Sequence, residues 1–349
     1  MPEARQGDDR RIALTIVGGF LGSGKTTLLN HLLHNDEGRR FAVVVNDFGD
    51  INIDARLVVA VEGETVALSN GCICCAIRDD LVSEVLRLCQ RPIPPEHIII
   101  ESSGVSRPLA IVESFFRPEI RQHVRVQTIL TLLDAHQVMD EAATYADIAY
   151  AQIAVADIVV INKADLVSPE QLAVVRGQVE RIVPRARILE TSFGRIALAL
   201  LFDHDFSPAA ADRSGDGVKK HDHGHNHAHA EEFAAWSYRD QNKAFPFSAI
   251  QRMAELLPRG IYRAKGIVRL ALSSNDYGVF QMTGRRSSLR LRPLDGPPPV
   301  TELIFIGHPG TTTEHDLHTL IEDAWNAAND PDAAPYLVTD LRAFQVEFL

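Results

Sequence analysis

The sequence predicts an α/β fold: a doubly wound, mostly parallel sheet, followed by a smaller α+β domain. Short β-branched runs alternate with helix-like segments over residues 11–202, the pattern of repeated βαβ units. Several runs are apolar at consecutive positions, as expected for strands covered by helices on both faces. A polar, histidine-rich stretch then ends the alternation, and a different pattern of strands and helices begins after it.

Each element follows from these patterns. The predicted strands of the sheet are Ile12–Val17, Phe41–Val45, Thr65–Leu68, His97–Ile100, Val126–Leu133, Asp157–Ile161 and Arg187–Leu189. In the second domain the predicted elements are a helix at Ser248–Leu257, strands at Gly260–Leu272, Val279–Thr283 and Glu302–Ile306, and a helix at Glu314–Ala328. We expect a flexible leader at 1–10, a first domain at 11–202, a linker at 203–230 and a second domain at 231–349.

Composition limits the class of protein. The 349 residues are 46% hydrophobic and 23% charged, as in ordinary soluble globular proteins. The net charge of −11 argues against non-specific binding to nucleic acid or to an anionic membrane. The leader is polar and no apolar run reaches the ~20 residues of a membrane span. We therefore expect a cytoplasmic protein.

A phosphate-binding loop follows the first predicted strand. The segment Gly19–Thr26 matches G-x-x-x-x-G-K-[ST] and leads into a predicted helix at Thr26–Leu33. Backbone N–H groups of such a loop cradle phosphate oxygens, the lysine reaches the β and γ oxygens, and the threonine hydroxyl ligates Mg²⁺. The expected nucleotide-binding residues are Gly19, Gly22, Ser23, Gly24, Lys25, Thr26 and Thr27. The alternative is a glycine-rich turn that only begins a helix.

A second motif indicates guanine. The sixth strand runs into Asn162-Lys163-Ala164-Asp165. The Asp165 carboxylate can accept from N1–H and from the 2-amino group of guanine, groups that adenine lacks. We expect Asn162 to contact the far edge of the base and the stem of Lys163 to cover its face. Ser192, after the next strand, is a further candidate base contact. The alternative is that Asp165 or Ser168 caps the helix that begins near Pro169.

Acidic residues at strand ends are candidates for Mg²⁺ and water. Glu101 follows a buried strand and is placed to hold, through water, the Mg²⁺ that Thr26 ligates, while the Gly104 N–H is placed to sense the γ-phosphate. Asp134 is a rival for the metal, with helix capping as its alternative role. Asp47, in a candidate first switch, is placed to orient the attacking water or to contact a metal, unless it belongs to an acidic turn. The expected catalytic residues are Lys25, Asp47, Glu101 and Gly104.

Cysteines and histidines indicate a transition-metal site. Cys72, Cys74 and Cys75 bring three thiols into four residues, so three of the four positions around Zn²⁺ could be filled and one left for exchange. The alternative is that these three cysteines are buried small apolar residues or form a redox pair. Cys89 lies on one helix face with apolar residues and is assigned to the core. The linker places five histidines at alternate positions, where they could capture Zn²⁺, Ni²⁺, Co²⁺ or Cu²⁺, or form only a solvated linker. They are His221, His223, His225, His227 and His229.

In its motifs the chain resembles the CobW family of P-loop GTPases, of the SIMIBI class. The resemblance covers nearly the whole chain. The matching stretches are Gly18–Thr27, Asn46–Asp54, Gly71–Cys75, Glu101–Gly104, Asn162–Asp165 and, in the second domain, Arg259–Gly266. The family's first switch usually reads Asn-Glu-Phe-Gly-Glu, whereas this chain has the shorter Asp47 and Asp50.

The resemblance implies a GTP-hydrolysing metallochaperone. Its cofactors would be GTP and Mg²⁺, its cargo most commonly Zn²⁺, with Co²⁺ or Ni²⁺ as alternatives, and its partner a client metalloprotein. Some relatives serve cobalt in cobalamin synthesis or deliver metal to nitrile hydratase. We expect slow intrinsic hydrolysis, since no arginine finger is evident, and we allow for a homodimer. Two rivals remain open: a metal buffer or storage protein, and a kinase that acts on a small molecule.

Overall fold

The computed structural model describes residues 11–35, 38–46, 64–68, 76–104, 108–137, 146–201, 233–271, 275–294, 296–297, 299–330 and 344–347. The chain divides into two compact units. The first unit comprises Met1–Pro184 and Ile188–Phe202, and the second comprises Arg185–Arg187 and Asp203–Leu349. We describe each unit by itself.

The first unit is built on a seven-stranded sheet in the order β3-β2-β4-β1-β5-β6-β7. Its strands are β1 (Ile12–Gly19), β2 (Phe41–Asn46), β3 (Glu64–Leu68), β4 (His97–Glu101), β5 (Val124–Asp134), β6 (Ile158–Asn162) and β7 (Arg187–Glu190). The pairings β1–β4, β1–β5, β2–β3, β2–β4 and β5–β6 are all parallel. The predicted α/β fold with a mostly parallel sheet is confirmed.

Six helices connect these strands in the described part of the first unit. They are α1 (Lys25–His34), α2 (Ala76–Cys89), α3 (Pro108–Ser114), α4 (Pro118–Arg121), α5 (Ala146–Val155) and α6 (Pro169–Ile182). Helix α6 begins where it does because of a capping box. The Ser168 side chain accepts from the Gln171 N–H, the Gln171 side chain accepts from the Ser168 N–H, and a proline follows the cap.

The sheet interior is apolar because its strands are β-branched and buried. Every residue of β4 and β6 is buried, and β1 is buried beyond its first residue. A buried polar pair, Thr15 Oγ1 and His97 Nε2, at 2.8 Å, joins β1 to β4 inside this core. Burial on both faces leaves the carboxyl edge of the sheet as the place where polar side chains can meet, which is where ligands of such sheets bind.

The second unit contains a six-stranded sheet in the order β13-β11-β10-β9-β12-β8. Its strands are β8 (Ala234–Asp240), β9 (Ile261–Arg269), β10 (Asp276–Thr283), β11 (Arg286–Pro293), β12 (Thr301–Gly307) and β13 (Phe344–Glu347). Helices α7 (Phe247–Leu256) and α8 (Glu314–Asn329) contribute Met253 and Leu317 to an apolar core shared with Phe280 and Phe305 of the sheet. This is the predicted α+β arrangement, with β8, β11 and β13 as strands that the sequence did not predict.

Several predictions fall outside the described residues. They are the leader at 1–10, the linker at 203–230, Asp47, the three clustered cysteines and the five alternating histidines. Within the described ranges, no helix has both the length and the hydropathy needed to cross a bilayer.

Candidate functional site

The phosphate loop leaves the carboxyl end of β1 and leads into α1. Gly19, Gly22 and Gly24 have φ values of 137°, 78° and 99°, which side chains rarely adopt. A Cβ on Gly19 would lie 2.4 Å from the carbonyl oxygen of Leu132, and one on Gly24 would lie 2.3 Å from Asn162 Nδ2. Glycine is therefore required at these two positions by both conformation and space.

The start of α1 is prepared for an anion. Gly24 offers no side-chain cap and the first turn carries no acidic residue, so the positive end of the helix is not neutralised locally. Lys25 is only 7% exposed, and its Nζ donates to the carbonyl oxygens of Gly19 at 3.0 Å and Phe20 at 3.1 Å. The loop thus holds a buried ammonium beside unneutralised helix N–H groups, an arrangement that suits phosphate.

Glu101 lies at the carboxyl end of β4, which is paired with β1 on one side and β2 on the other. Its register partners are Val17 and Val45, and it is 2% exposed. The next residue, Ser102, donates its backbone N–H to Val17 O at 2.9 Å. The fold therefore places this carboxylate one strand away from the phosphate loop.

Two buried hydroxyls in this region mark a place for a polar ligand. The Oγ atoms of Ser23, in the phosphate loop, and Ser102, beside Glu101, are buried and have no hydrogen-bond partner among the described residues. Buried polar atoms are normally hydrogen-bonded, so such orphaned oxygens need an explanation. Together with the half-buried Thr26 and with Glu101 they form an oxygen-rich set, the chemistry that Mg²⁺ prefers. The residues present fit a magnesium-bound nucleotide.

Gly104 packs directly on the phosphate loop. A Cβ at this position would lie 2.7 Å from the backbone nitrogen of Leu21 and 2.8 Å from its side chain. The Gly104 carbonyl accepts from Gln152 Nε2 at 3.1 Å, and Thr131 Oγ1 donates to Gln152 O at 2.8 Å, so α5 and β5 fix the position of this glycine. Gln152 is a supporting residue that the sequence did not single out.

Asn162 joins the two halves of the site. Its Nδ2 donates to Ser23 O at 2.9 Å, and its Oδ1 accepts from the Gly194 N–H at 3.0 Å. The sequence predicted a contact between this amide and the base, but the structure engages both of its ends with the protein backbone. Because the side chain is 1% exposed, these bonds hold the phosphate loop and the loop after β7 in a fixed relation.

Asp134 organises Lys163. Its Oδ1 accepts from the N–H groups of His136 and Gln137, at 2.9 and 3.2 Å, and its Oδ2 accepts from Lys163 Nζ at 2.6 Å. Asp134 therefore caps a turn, whereas its predicted alternative role was to cap a helix, and it also pairs with the lysine of the guanine motif. The sequence did not predict the ion pair between Asp134 and Lys163, although the predicted position of Asp134 at the same edge of the sheet as Lys163 was a signal for it.

Asp165 lies in a one-turn 3-10 helix at Ala164–Leu166 and is exposed. The cap of α6 is Ser168, so the alternative in which Asp165 caps that helix is excluded. Ser192, half-buried, belongs to the loop that Asn162 holds. The structure thus brings the phosphate loop, Glu101 and the guanine motif to one edge of one sheet.

Strand β3 also has its carboxyl end at this edge of the sheet. The cysteine segment, which lies outside the described residues, comes in the chain between Leu68, the last residue of β3, and Ala76, the first residue of α2. Since β3 stands three strands from β1, its carboxyl end is about 14 Å from the phosphate loop along the sheet. The guanine motif lies on the other side of β1, at β6 and β7.

The described residues themselves contain no group of three or more histidine, cysteine, aspartate or glutamate side chains that could hold a metal. Cys89 packs against the apolar core of the first unit, and burial raises the pKa of its thiol to about 11. It is therefore protonated at neutral pH and poorly suited to bind metal, which agrees with its predicted place in the core.

Comparison with known proteins decides the family. Residues 13–190 match the nucleotide-binding domain described as CobW/HypB/UreG, and residues 233–325 match the cobalamin synthesis protein CobW C-terminal domain. The chain belongs to the CobW family. The resemblance inferred from its motifs is confirmed.

Relatives in the CobW family carry names related to zinc. Zinc chaperone CobW of a Sinorhizobium species is 32% identical over 55% of this chain and 62% of its own, and Zinc chaperone CobW of Pseudomonas aeruginosa is 33% identical over 74% and 77%. Zinc-regulated GTPase metalloprotein activator 1 of Schizosaccharomyces pombe is 35% identical over 53% of this chain and 47% of its own. The chain thus spans about half to three quarters of the length of these relatives.

Proposed function

We propose that this protein is a GTP-hydrolysing metallochaperone that binds a divalent transition metal, most readily zinc, and delivers it to a client metalloprotein, with metal transfer coupled to GTP hydrolysis. The supporting observation is that the phosphate loop, Glu101 and the guanine motif share the sheet edge at which the cysteine segment begins. The names of the relatives supply the link between such a GTPase and zinc. A cytoplasmic location and a homodimer remain predictions.

The phosphate half of the site would hold GTP through the backbone of Gly19–Gly24 and through Lys25. Magnesium, held by Thr26 and Glu101, would neutralise charge on the phosphates. Gly104 contacts the phosphate loop at Leu21, so a change at the γ-phosphate position has a direct route to the segment after β4. Asp47, which follows β2, is the proposed residue for orienting water.

The base half of the site would read guanine through Asp165. Lys163 is held in place by its ion pair with Asp134, and Ser192 lies in the loop that Asn162 fixes. A separate metal site would be formed by Cys72, Cys74 and Cys75, which would bind zinc as thiolates and leave one position open for transfer. The five histidines of the linker would capture metal without a fixed geometry.

Cobalt substitution tests the metal site. Titration of the purified protein with Co²⁺ should give a thiolate charge-transfer band, which Cys72→Ser, Cys74→Ser and Cys75→Ser each weaken and the matched Cys89→Ser leaves intact. A band of unchanged intensity in all three variants would place the metal elsewhere. A variant lacking the five histidines should keep the band, because imidazoles do not produce it.

Lys25→Ala separates the proposal from a metal buffer, and product analysis separates it from a kinase. A chaperone should lose metal-dependent activation of its client in cells, whereas a buffer or storage protein would keep full function without nucleotide. Product analysis excludes the kinase if all the phosphate released from GTP goes to water. Phosphate found on a small molecule would support the kinase instead.

A further inference from the structure

The loop after β7 contains a turn with an unusual residue at its centre. Ser192 O accepts from the Arg195 N–H at 3.3 Å, and the two central residues, Phe193 and Gly194, have φ values of 59° and 64°. Positive φ at both central positions is the geometry of a type I′ turn, which favours asparagine, aspartate or glycine. A phenylalanine in this conformation is strained, and nothing in the turn itself requires it.

The surrounding structure holds this turn in place. The Thr191 N–H donates to Ile161 O at 2.9 Å, the Ala164 N–H donates to Thr191 O at 3.1 Å, and Gly194 is held by Asn162 Oδ1. A Cβ on Gly194 would lie 2.9 Å from the backbone nitrogen of Leu28 in α1. The turn is thus tied to β6, to the guanine motif and to the helix that follows the phosphate loop.

The ring that this turn presents is exposed. Phe193 is 63% exposed, and the Arg195 guanidinium carbon lies 5.8 Å from its centre. Only three described residues other than glycine have positive φ, and two of them are Lys163, in the guanine motif, and Phe193, in the loop after β7. Strained backbone that surrounding bonds maintain is found at ligand sites, and the exposed ring is accessible to a ligand.

We propose that Phe193 is the side chain on which the purine base of the bound nucleotide stacks. The inference rests on the proposed binding of a guanine nucleotide at this edge, and it gives the base a second kind of contact. Asp165 reads the edge of the base and so selects guanine. Phe193 covers a face of the base and so adds affinity without choosing among purines, because every purine offers the same π surface.

Phe193→Asn tests this role because stacking and a purely structural role predict different results: stacking predicts weaker nucleotide binding without loss of stability, and a structural role predicts loss of stability. Asparagine suits the turn better than phenylalanine, so the thermal midpoint of the nucleotide-free protein should stay the same or rise. Calorimetric titration with GDP and with IDP should show both dissociation constants raised by the same factor, about tenfold or more, which is within the range of base–aromatic stacking. Phe193→Tyr should restore both.

The control is Phe116→Asn, which removes another exposed phenylalanine, 52% exposed, and should leave both dissociation constants unchanged. The proposal is overturned if Phe193→Asn changes neither constant by more than about twofold, as expected if the ring instead meets a protein partner. It is also overturned if that variant loses stability without nucleotide, or if GDP binding falls and IDP binding does not.

Failure of the proposed function has a different signature. If the proposed function holds, the parent protein should bind GDP far more tightly than ADP, and Asp165→Asn should change the preferred base from guanine to xanthine. If the parent binds both alike, guanine selection is refuted, while equal losses of GDP and ADP binding in Phe193→Asn would still support stacking.

Discussion

Replacing Asn162 with alanine tests whether one buried amide holds the site together. The substitution removes both hydrogen bonds of that amide, to Ser23 O and from the Gly194 N–H. Both partner residues are buried, so their backbone groups would lose a bond that water cannot readily replace. Leaving a buried polar group unsatisfied costs about 1–3 kcal/mol, so the first unit should lose about 2–4 kcal/mol of unfolding free energy.

Spectroscopy can assign this loss to the correct unit. Both tryptophans, Trp236 and Trp325, lie in the second unit and pack against its core, so their fluorescence follows that unit alone. Far-ultraviolet circular dichroism follows both units. In Asn162→Ala the circular dichroism transition of the first unit should fall by about 4–16 °C, while the tryptophan transition should not move.

A matched control is Asn329→Ala, which removes an exposed hydrogen bond from Nδ2 to Trp325 O at the end of α8. An exposed bond of this kind can be replaced by water, so its loss should cost less than about 0.5 kcal/mol. If Asn162→Ala also costs no more than that, the amide does not hold the two loops. A shift of the tryptophan transition alone would contradict the assignment to the first unit.

Three further predictions follow. Gly104→Ala should slow phosphate release from GTP at least about tenfold and leave GDP binding nearly unchanged, because the added Cβ would lie 2.7 Å from Leu21 N. Equal rates of phosphate release in the parent and the variant would refute the role of this contact as a γ-phosphate sensor. Asp134→Asn should weaken GDP binding about fivefold, because Lys163 loses its ion pair, and the loss should be smaller at high salt. If calorimetry shows the same loss at every salt concentration, the lost ion pair is not the cause. The rate of alkylation of Cys89 should rise about tenfold per pH unit up to about pH 10, because the raised pKa of about 11 keeps the thiol protonated below that pH. A rate that stops rising near pH 8 would contradict this pKa.

The sequence predicted the first unit well because its signals are local. Apolar runs such as Ile98–Ile100 specify buried parallel strands, and the glycines of the phosphate loop specify a conformation that few other residues adopt. It missed β11, although Leu289 and Leu291 alternate with arginines in the period-two pattern of a half-buried strand. Only two apolar residues carry that pattern, so it is a much weaker signal than a continuous apolar run.

Contacts between distant segments were also beyond the sequence. Nothing local in Asn162 shows that its amide would bond Ser23 and Gly194, which are distant in the chain. The pairing of Asp134 with Lys163 likewise depends on β5 and β6 being neighbours in the sheet. The residue types predicted which chemistry belongs to the site, and the order of the strands decided which side chains meet.

The central claim is that nucleotide state controls the release of metal, and transfer of Zn²⁺ to a chromogenic chelator tests it most directly. Protein loaded with one equivalent of Zn²⁺ is mixed with GTP and Mg²⁺, or with a non-hydrolysable analogue and Mg²⁺, and the absorbance of the chelator is followed. The account predicts faster transfer with GTP, at a rate set by hydrolysis, and no such difference in Lys25→Ala. Identical transfer with GTP and with the analogue would contradict it.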